Sequence, residues 1–272
     1  MLYLISKIYS NMLKNLLIIA HRGESYDAPE NTLASINLAW ERGAEAVEID
    51  VHLSADNHVV VIHDSSTKRT SVRNKKVRKQ TLTELRQLDV GSWKKEKYKN
   101  EKIPLLKEVL ATIPKGKKLI IEIKSDKEIL PFLKKDVENA NLENRQIEII
   151  SFNFQIVTLA KKQFPEHNVL YLADLDYTWY TKLLSPSVDK LIAKVKETNL
   201  NGVNVWAGKI LNKEFAQKVK SAGLLLYIWT VDNADHAKKF ADWGIDGITT
   251  NRAQWLTGKL NVKSIDPLIS FR

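Results

Sequence analysis

Short apolar, β-rich runs alternate with amphipathic helical stretches along this chain, and no linker interrupts the alternation. Strands separated by helices return in parallel, because each helix is a crossover, and a parallel sheet is buried on both faces. The runs read as strands are Leu16–Ala20, Ala46–Leu53, His58–Ile62, Leu119–Ile123, Ile147–Ser151, Val169–Leu172, Gly202–Val205, Leu224–Thr230 and Gly247–Thr249. Helical periodicity predicts Thr32–Arg42, Leu105–Ile113, Leu130–Asn139, Gln155–Gln163, Ser187–Thr198, Lys213–Ala222 and Ala234–Trp243. Asn31 or Thr32 caps the first of these helices, and Gly43 ends it in the left-handed conformation.

Nine strands are one too many for an eightfold barrel, and His58–Ile62 is the odd one. Only Ser54-Ala55-Asp56-Asn57 separates it from the strand before, far too short for a parallel crossover. It must return as a hairpin about Asp56-Asn57, whose residue types tolerate positive φ. Eight parallel strands remain, and the fold expected is α/β, a (β/α)8 TIM barrel. The competing open, doubly wound sheet lacks its glycine-rich fingerprint after the first strand. With 272 residues, 1–272 reads as one barrel domain carrying an insertion, a small cap, at about 64–102. Within the cap, Thr81-Leu82-Thr83-Glu84 is a capping box opening one short helix that Gly91 is expected to end.

In such a barrel the chemistry lies where the strands end. His21 and Arg22 follow the first strand. Glu48 and Asp50, two apart, share one face of the second, as do Glu122 and Lys124 at the end of the strand after the cap. A turn centred between residues 56 and 57 makes Asp50 and His63 cross-strand neighbours. Two histidines, three carboxylates, one Arg and one Lys therefore converge on one rim. Three carboxylates repel unless a cation neutralises them, and an all-oxygen set suits a hard ion, Mg²⁺ or Ca²⁺, rather than Zn²⁺. Arg22 and Lys124 become clamps for an anionic group such as phosphate, and His21 and His63 the acid and base near neutral pH. Taken singly, each piece has a plain structural reading: a surface His-Arg pair, a solvated Glu-x-Asp face, an ordinary Glu-Lys ion pair. Their joint placement at a barrel mouth is what selects catalysis. Trp229 and Trp206 end strands on the same rim, whereas Phe152 reads as core.

Composition narrows the partners. Cysteine is absent, which excludes disulfides, zinc-thiolate sites, iron–sulfur clusters and thiol catalysis, and fits a reducing, cytoplasmic setting. The net charge is +10, and residues 64–102 hold thirteen Lys/Arg against five Asp/Glu. Such a patch attracts anionic substrates or gives weak contact with an anionic membrane surface. The start, Met1–Ala20, is apolar enough to suggest a secretion signal, but Lys7 and Lys14 break the run and no small-residue cleavage pattern precedes His21. Leu16–Ala20 is too short to span a bilayer, no membrane span is expected elsewhere, and Met12 is an alternative start with residues 1–11 as an appendage.

The motifs His21-Arg22-Gly23, Pro29-Glu30-Asn31-Thr32, Glu48-Ile49-Asp50-Val51, His63-Asp64 and Glu122-Ile123-Lys124 resemble those of glycerophosphodiester phosphodiesterases. The resemblance continues through Ser151-Phe152-Asn153, Trp229-Thr230-Val231-Asp232 and Asp246-Gly247-Ile248-Thr249-Thr250-Asn251, covering Leu16 to about Leu256. It departs where Thr67-Lys68-Arg69-Thr70-Ser71 replaces the family's usual Leu-Asp-Arg-Thr-Thr, and where Asn153 replaces Asp. The resemblance implies a capped (β/α)8 barrel that cleaves glycerophosphodiesters to sn-glycerol 3-phosphate and an alcohol. It implies His21 and His63 as catalytic residues, Glu48, Asp50 and Glu122 as ligands of one divalent cation, and Trp229 against the glycerol. Two alternatives stand beside it: a lysophospholipase D-type lipid phosphodiesterase, and a non-catalytic basic module for nucleic acid or anionic membrane. The complete acid–base and carboxylate set argues against the second, so no nucleic acid is expected.

Overall fold

Every one of the eight residues of the second strand, Ala46–Leu53, is buried, as a strand covered on both faces requires. The computed structural model describes residues 16–175 and 187–260; the stretch with the alternative start at Met12 lies outside them. The strands are β1 (Leu17–His21), β2 (Ala46–Leu53), β3 (Val59–Val61), β4 (Lys118–Ile123), β5 (Ile147–Ser151), β6 (Asn168–Ala173), β7 (Gly202–Trp206), β8 (Leu225–Trp229) and β9 (Gly247–Thr250). The helices are α1 (Leu33–Glu41), α2 (Leu82–Arg86), α3 (Leu106–Leu110), α4 (Leu130–Asn139), α5 (Phe154–Gln163), α6 (Val188–Glu197), α7 (Lys213–Ser221), α8 (Ala234–Ala241) and α9 (Ala253–Leu260).

Eight parallel strands run in the order β1-β9-β8-β7-β6-β5-β4-β2, and β1 pairs with β2 to close the barrel; β3 lies antiparallel on β2. Alternation along each strand separates two cores. Inward-facing Ile19, Ala46, Ile120, Ile150, Leu170, Leu172 and Tyr227 fill the lumen. Outward-facing Val47, Ile49, Leu119 and Ile121 pack with helix residues such as Ile36, Val109, Leu133 and Val157. Each such side chain contributes about 1.5–3 kcal/mol by leaving water. Towards the C-terminal ends of β2 and β4 the inward positions change from apolar to acidic, which marks where packing gives way to a site.

Thr32 is the cap of α1, in a capping box with Ser35, and Gly43 takes φ +80 after the helix. Helix α9 has no counterpart in the sequence reading; it is eight residues long and contains Gly258, so its periodic signal is weak. Helix α3 stops at Leu110, short of the expected Ile113, because Pro114 disfavours helix in the residue before it.

The hairpin register differs by one from the expected pairing. Val51 faces Val61 and Leu53 faces Val59, so Asp50 lies opposite Ile62, whose N–H donates to the Asp50 carbonyl at 3.0 Å. The cause is the loop. Ala55-Asp56-Asn57 forms three residues closed by Asn57 at φ +63, not a two-residue turn. Beyond Val61 the chain leaves the strand, so alternation no longer dictates where His63 points.

The cap has a core of its own, built from Val60, Ile62, Val77, Leu85, Leu88, Val90 and Ile103. Thr81 and Glu84 form the expected capping box of α2, but that helix ends at Arg86 and not at Gly91. Asp89 stops any continuation: its carboxylate accepts from the Gly91 and Ser92 N–H groups at 2.9 and 3.0 Å, an Asx turn that competes with helix. Gly91 is needed for close packing, since a Cβ there would sit 1.9 Å from the Tyr98 carbonyl oxygen. The cap is tied over the β1–α1 segment by Lys94 donating to the Ser25 carbonyl (2.7 Å) and Tyr98 to that of Asp27 (3.2 Å). Among the described residues, no helix is long and apolar enough to cross a membrane.

Candidate active site

Register brings the acidic residues together. His21 is the parallel partner of Glu48, and Asp50 that of Glu122. Glu48, Asp50 and Glu122 each present an oxygen within 4.8 Å of the others, and all three side chains are buried. Two cations stand among them. Arg22 Nε lies 3.1 Å from Asp50, and Lys124 Nζ lies 2.6 Å from Glu122 and 3.3 Å from Asp50.

Three buried carboxylates against two cations leave the cluster short of positive charge. Burial, then Asp50 and Glu122, push Glu48 well above the usual carboxylate range. Burial and Asp50 raise Glu122 to about 7. Burial also works against Asp50, but Arg22 and Lys124 outweigh it and hold that group at about 2. Glu48 Oε1 has no hydrogen-bond partner. A buried acceptor without a donor and two carboxylates that resist ionising are what a hard divalent cation would complete, so the residues fit such an ion.

The two histidines flank this cluster with different partners. His21 Nδ1 donates to Asn251 Oδ1 at 2.8 Å, and the amide is oriented by Asn251 Nδ2 donating to Asp232 at 2.6 Å. That leaves His21 Nε2 as the unprotonated nitrogen, 3.9 Å from Glu48. Burial and then Arg22 depress His21 to about 4, so the ring is neutral near pH 7. His63 Nδ1 instead meets the Asp64 carboxylate at 2.6 Å. Burial lowers His63, while Asp50 and Asp64 oppose that fall. Asp64 is itself held by Arg69 Nε at 2.7 Å.

Arg69 extends from the cap and also binds Glu30 through two nitrogens, at 2.8 and 2.7 Å, while Glu30 accepts from Arg22 at 2.8 Å. A continuous chain of ion pairs thus joins Arg22, Glu30, Arg69 and Asp64, and the Asp64 hydrogen bond carries it to His63. Arg22 adopts φ +56, which turns its N–H onto Glu48 Oε2 (3.1 Å) while its guanidinium reaches Glu30 and Asp50. The next residue must be glycine, since a Cβ on Gly23 would lie 2.5 Å from the Ser35 backbone. Asn31, at φ +57, clamps Asp50 from beneath: Nδ2 donates to Asp50 Oδ2 (2.8 Å) and Oδ1 accepts from the Asp50 N–H (3.1 Å).

These groups open into a cavity of about 290 Å³ lined by His21, Arg22, Glu48, His63, Glu122 and Lys124 on one side. Ile150, Phe152, Leu172 and Trp229 line it on the other. Asp50 lies below, wholly buried. Trp229 packs edge-on against Phe152 at 5.5 Å, and Lys124 lies 5.5 Å from the Phe152 ring. Phe152 therefore corrects the sequence expectation: it is 42% exposed and belongs to the cavity, not the core. It follows the last residue of β5, where strand alternation has stopped and Asn153 already caps α5. Trp206 ends β7 on the same rim and does not line this cavity. Sequence reasoning assigned no role to Glu30, Arg69, Asp232 or Asn251, and offered Asn31 only as a helix cap, whereas Thr32 caps α1 and Asn31 holds Asp50. All five sit inside or beside the recognised motifs, which is the one signal that could have found them.

A model of the glycerophosphoryl diester phosphodiesterase family matches residues 21–254. A glycerophosphodiester phosphodiesterase of Caldanaerobacter subterraneus subsp. tengcongensis is 34% identical over 247 residues, which cover 88% of this chain and 96% of that protein. One from Bacillus subtilis is 29% identical, covering 87% of this chain and 83% of the relative. Among solved structures, a phosphodiesterase of Oleispira antarctica in complex with the product sn-glycerol-3-phosphate superposes with a TM-score of 0.80. It is 28% identical, and the match covers 90% of this chain and 96% of the other.

Proposed function

Because this chain belongs to the glycerophosphoryl diester phosphodiesterase family and is an enzyme of that kind, we propose that it hydrolyses glycerophosphodiesters to sn-glycerol 3-phosphate and an alcohol, with one divalent cation held by Glu48, Asp50 and Glu122. The observation that carries this reading is the charge-deficient carboxylate cluster at the floor of a cavity flanked by two histidines. The product bound to the Oleispira antarctica enzyme supports the same substrate class. When bound, the cation, Mg²⁺ or Ca²⁺, supplies polarisation of a phosphoryl oxygen and lowers the pKa of a nearby hydroxyl.

The protein's own groups do the rest. His21, neutral and with Nε2 free to accept, removes a proton from the attacking hydroxyl; Asn251 keeps the ring in that tautomer. His63 gives a proton to the departing alcohol oxygen, and Asp64 stabilises its charged form. Arg22 and Lys124 turn part of their charge from the carboxylates to the phosphoryl oxygens. The apolar wall of Trp229 and Phe152 receives the carbon face of the glycerol.

The glycerol 2-hydroxyl is held beside the phosphorus, so its attack has a proximity advantage over free water. Its oxygen bonds to phosphorus as the bond to the leaving alcohol breaks; water then opens the cyclic phosphate. An analogue lacking that hydroxyl should be cleaved at least about tenfold more slowly. Equal cleavage of the 2-deoxy analogue, followed by phosphorus NMR of the products, assigns the attack to water directly. In the cap, Lys68, Arg73, Lys76, Lys79 and Lys95 take part in none of the ion pairs among the described residues. Their field favours anionic substrates and weak contact with an anionic membrane.

A further inference from the structure

Among the described residues six large apolar side chains are exposed: Tyr26, Val72, Trp93, Phe152, Trp206 and Trp255. All six belong to the mouth of the barrel. Tyr26 lies between β1 and α1, Phe152 follows β5, Trp206 ends β7, Trp255 sits in the first turn of α9 after β9, and Val72 and Trp93 are in the cap. None occupies a loop at the opposite end of the barrel. Scattered apolar surface residues need no explanation, but segregation onto one face does. Basic groups are interleaved with them. The Arg252 guanidinium lies 4.6 Å from the Tyr26 ring centre and 4.1 Å from that of Trp255, and Lys94 lies 5.8 Å from Trp93.

We propose that this aromatic and basic rim docks on an anionic lipid bilayer, with the cavity opening toward the membrane. The inference rests on the reading of that cavity as the catalytic site, because a glycerophosphodiester is a phospholipid without its acyl chains and arises where lipids are broken down. Trp and Tyr settle at the boundary between headgroups and acyl chains, and Lys and Arg beside them meet anionic headgroups. The charge selects the occupant. Thirteen basic against five acidic residues in 64–102 repel a second copy of the same face and attract an anionic bilayer.

Sedimentation of the full chain with phosphatidylglycerol vesicles, read also by tryptophan emission, tests this. The protein should pellet with a blue shift at low salt, release as salt rises, and stay in solution with phosphatidylcholine. Val72 is wholly exposed, so Val72→Asp costs the fold nothing; together with Trp255→Ala it should lower partitioning by at least about tenfold. Lys95→Glu with Lys97→Glu should do the same, at about fivefold for each charge lost near the surface, and Val72→Trp should raise it. Circular dichroism shows that the variants are folded. Wild type remaining in the supernatant with phosphatidylglycerol at low salt overturns the proposal. So does binding that the charge reversals abolish and the apolar substitutions leave untouched, and so does self-association that the same substitutions break. Vesicle binding is read without turnover, so its failure is separate from a failure to hydrolyse soluble glycerophosphocholine.

Discussion

Glu122 is the residue whose state most directly reports on the cation. With its carboxyl raised to about 7 by burial and Asp50, it keeps a proton in the cation-free protein across the acidic range. A raised folded value stabilises the fold below the carboxylate's unfolded value of 4.5 and loses that contribution as pH climbs through about 7. Cation binding runs the opposite way, because the ion needs the ionised form. Calorimetric titration with Mg²⁺ or Ca²⁺ should show affinity rising about tenfold per pH unit for each proton displaced as pH climbs towards 7. An affinity flat from pH 5.5 to 7.5 removes Glu122 from the ligand set. His21→Ala and His63→Ala should each lower turnover by at least about 10²-fold with the far-ultraviolet circular dichroism intact. If they share one cycle, the double variant should be scarcely slower than either single one. Glu48, Asp50 and Glu122 were legible because alternation along β2 and β4 fixes their face; Arg22, His63 and Lys124 lie just past strand ends, where adjacency to those strands was the signal. Asn251 was not legible, since it meets His21 across 230 positions, and Arg69 acts only by bridging Glu30 and Asp64. Such contacts have no local signature.

At the scale of elements, the strands were legible to within about a residue because they are continuous apolar runs between turn residues. The hairpin was not, and Asn57 is the reason. A left-handed residue at the third loop position selects a three-residue loop, which moves the pairing by one and sets Asp50 opposite Ile62. Alternation would then have turned His63 away from Asp50, had the strand not already ended at Val61. The expected convergence of the two residues was reached through a register the structure does not have. Since a β-branched side chain resists positive φ, Asn57→Val should cost about 1–2 kcal/mol in urea unfolding. Asn57→Gly should cost less, losing chiefly the hydrogen bond from Arg78. Equal destabilisation by the two variants assigns the effect to that hydrogen bond and not to the backbone.

Across the whole molecule, barrel closure through the β1–β2 pairing places the histidine of the first strand against the carboxylates of the second. The cap, with its own small core, reaches over them with Arg69. The eightfold alternation was legible from end to end; the cap's inner path was not, because its turns rest on side-chain contacts such as those of Asp89. The central claim is that the cluster of Glu48, Asp50 and Glu122 works by holding a divalent cation. The direct measurement is release of sn-glycerol 3-phosphate from glycerophosphocholine by protein dialysed against excess chelator, before and after Mg²⁺ or Ca²⁺ is restored. Turnover should fall at least about 10²-fold without the ion and return with it. Undiminished turnover in excess chelator would contradict the account.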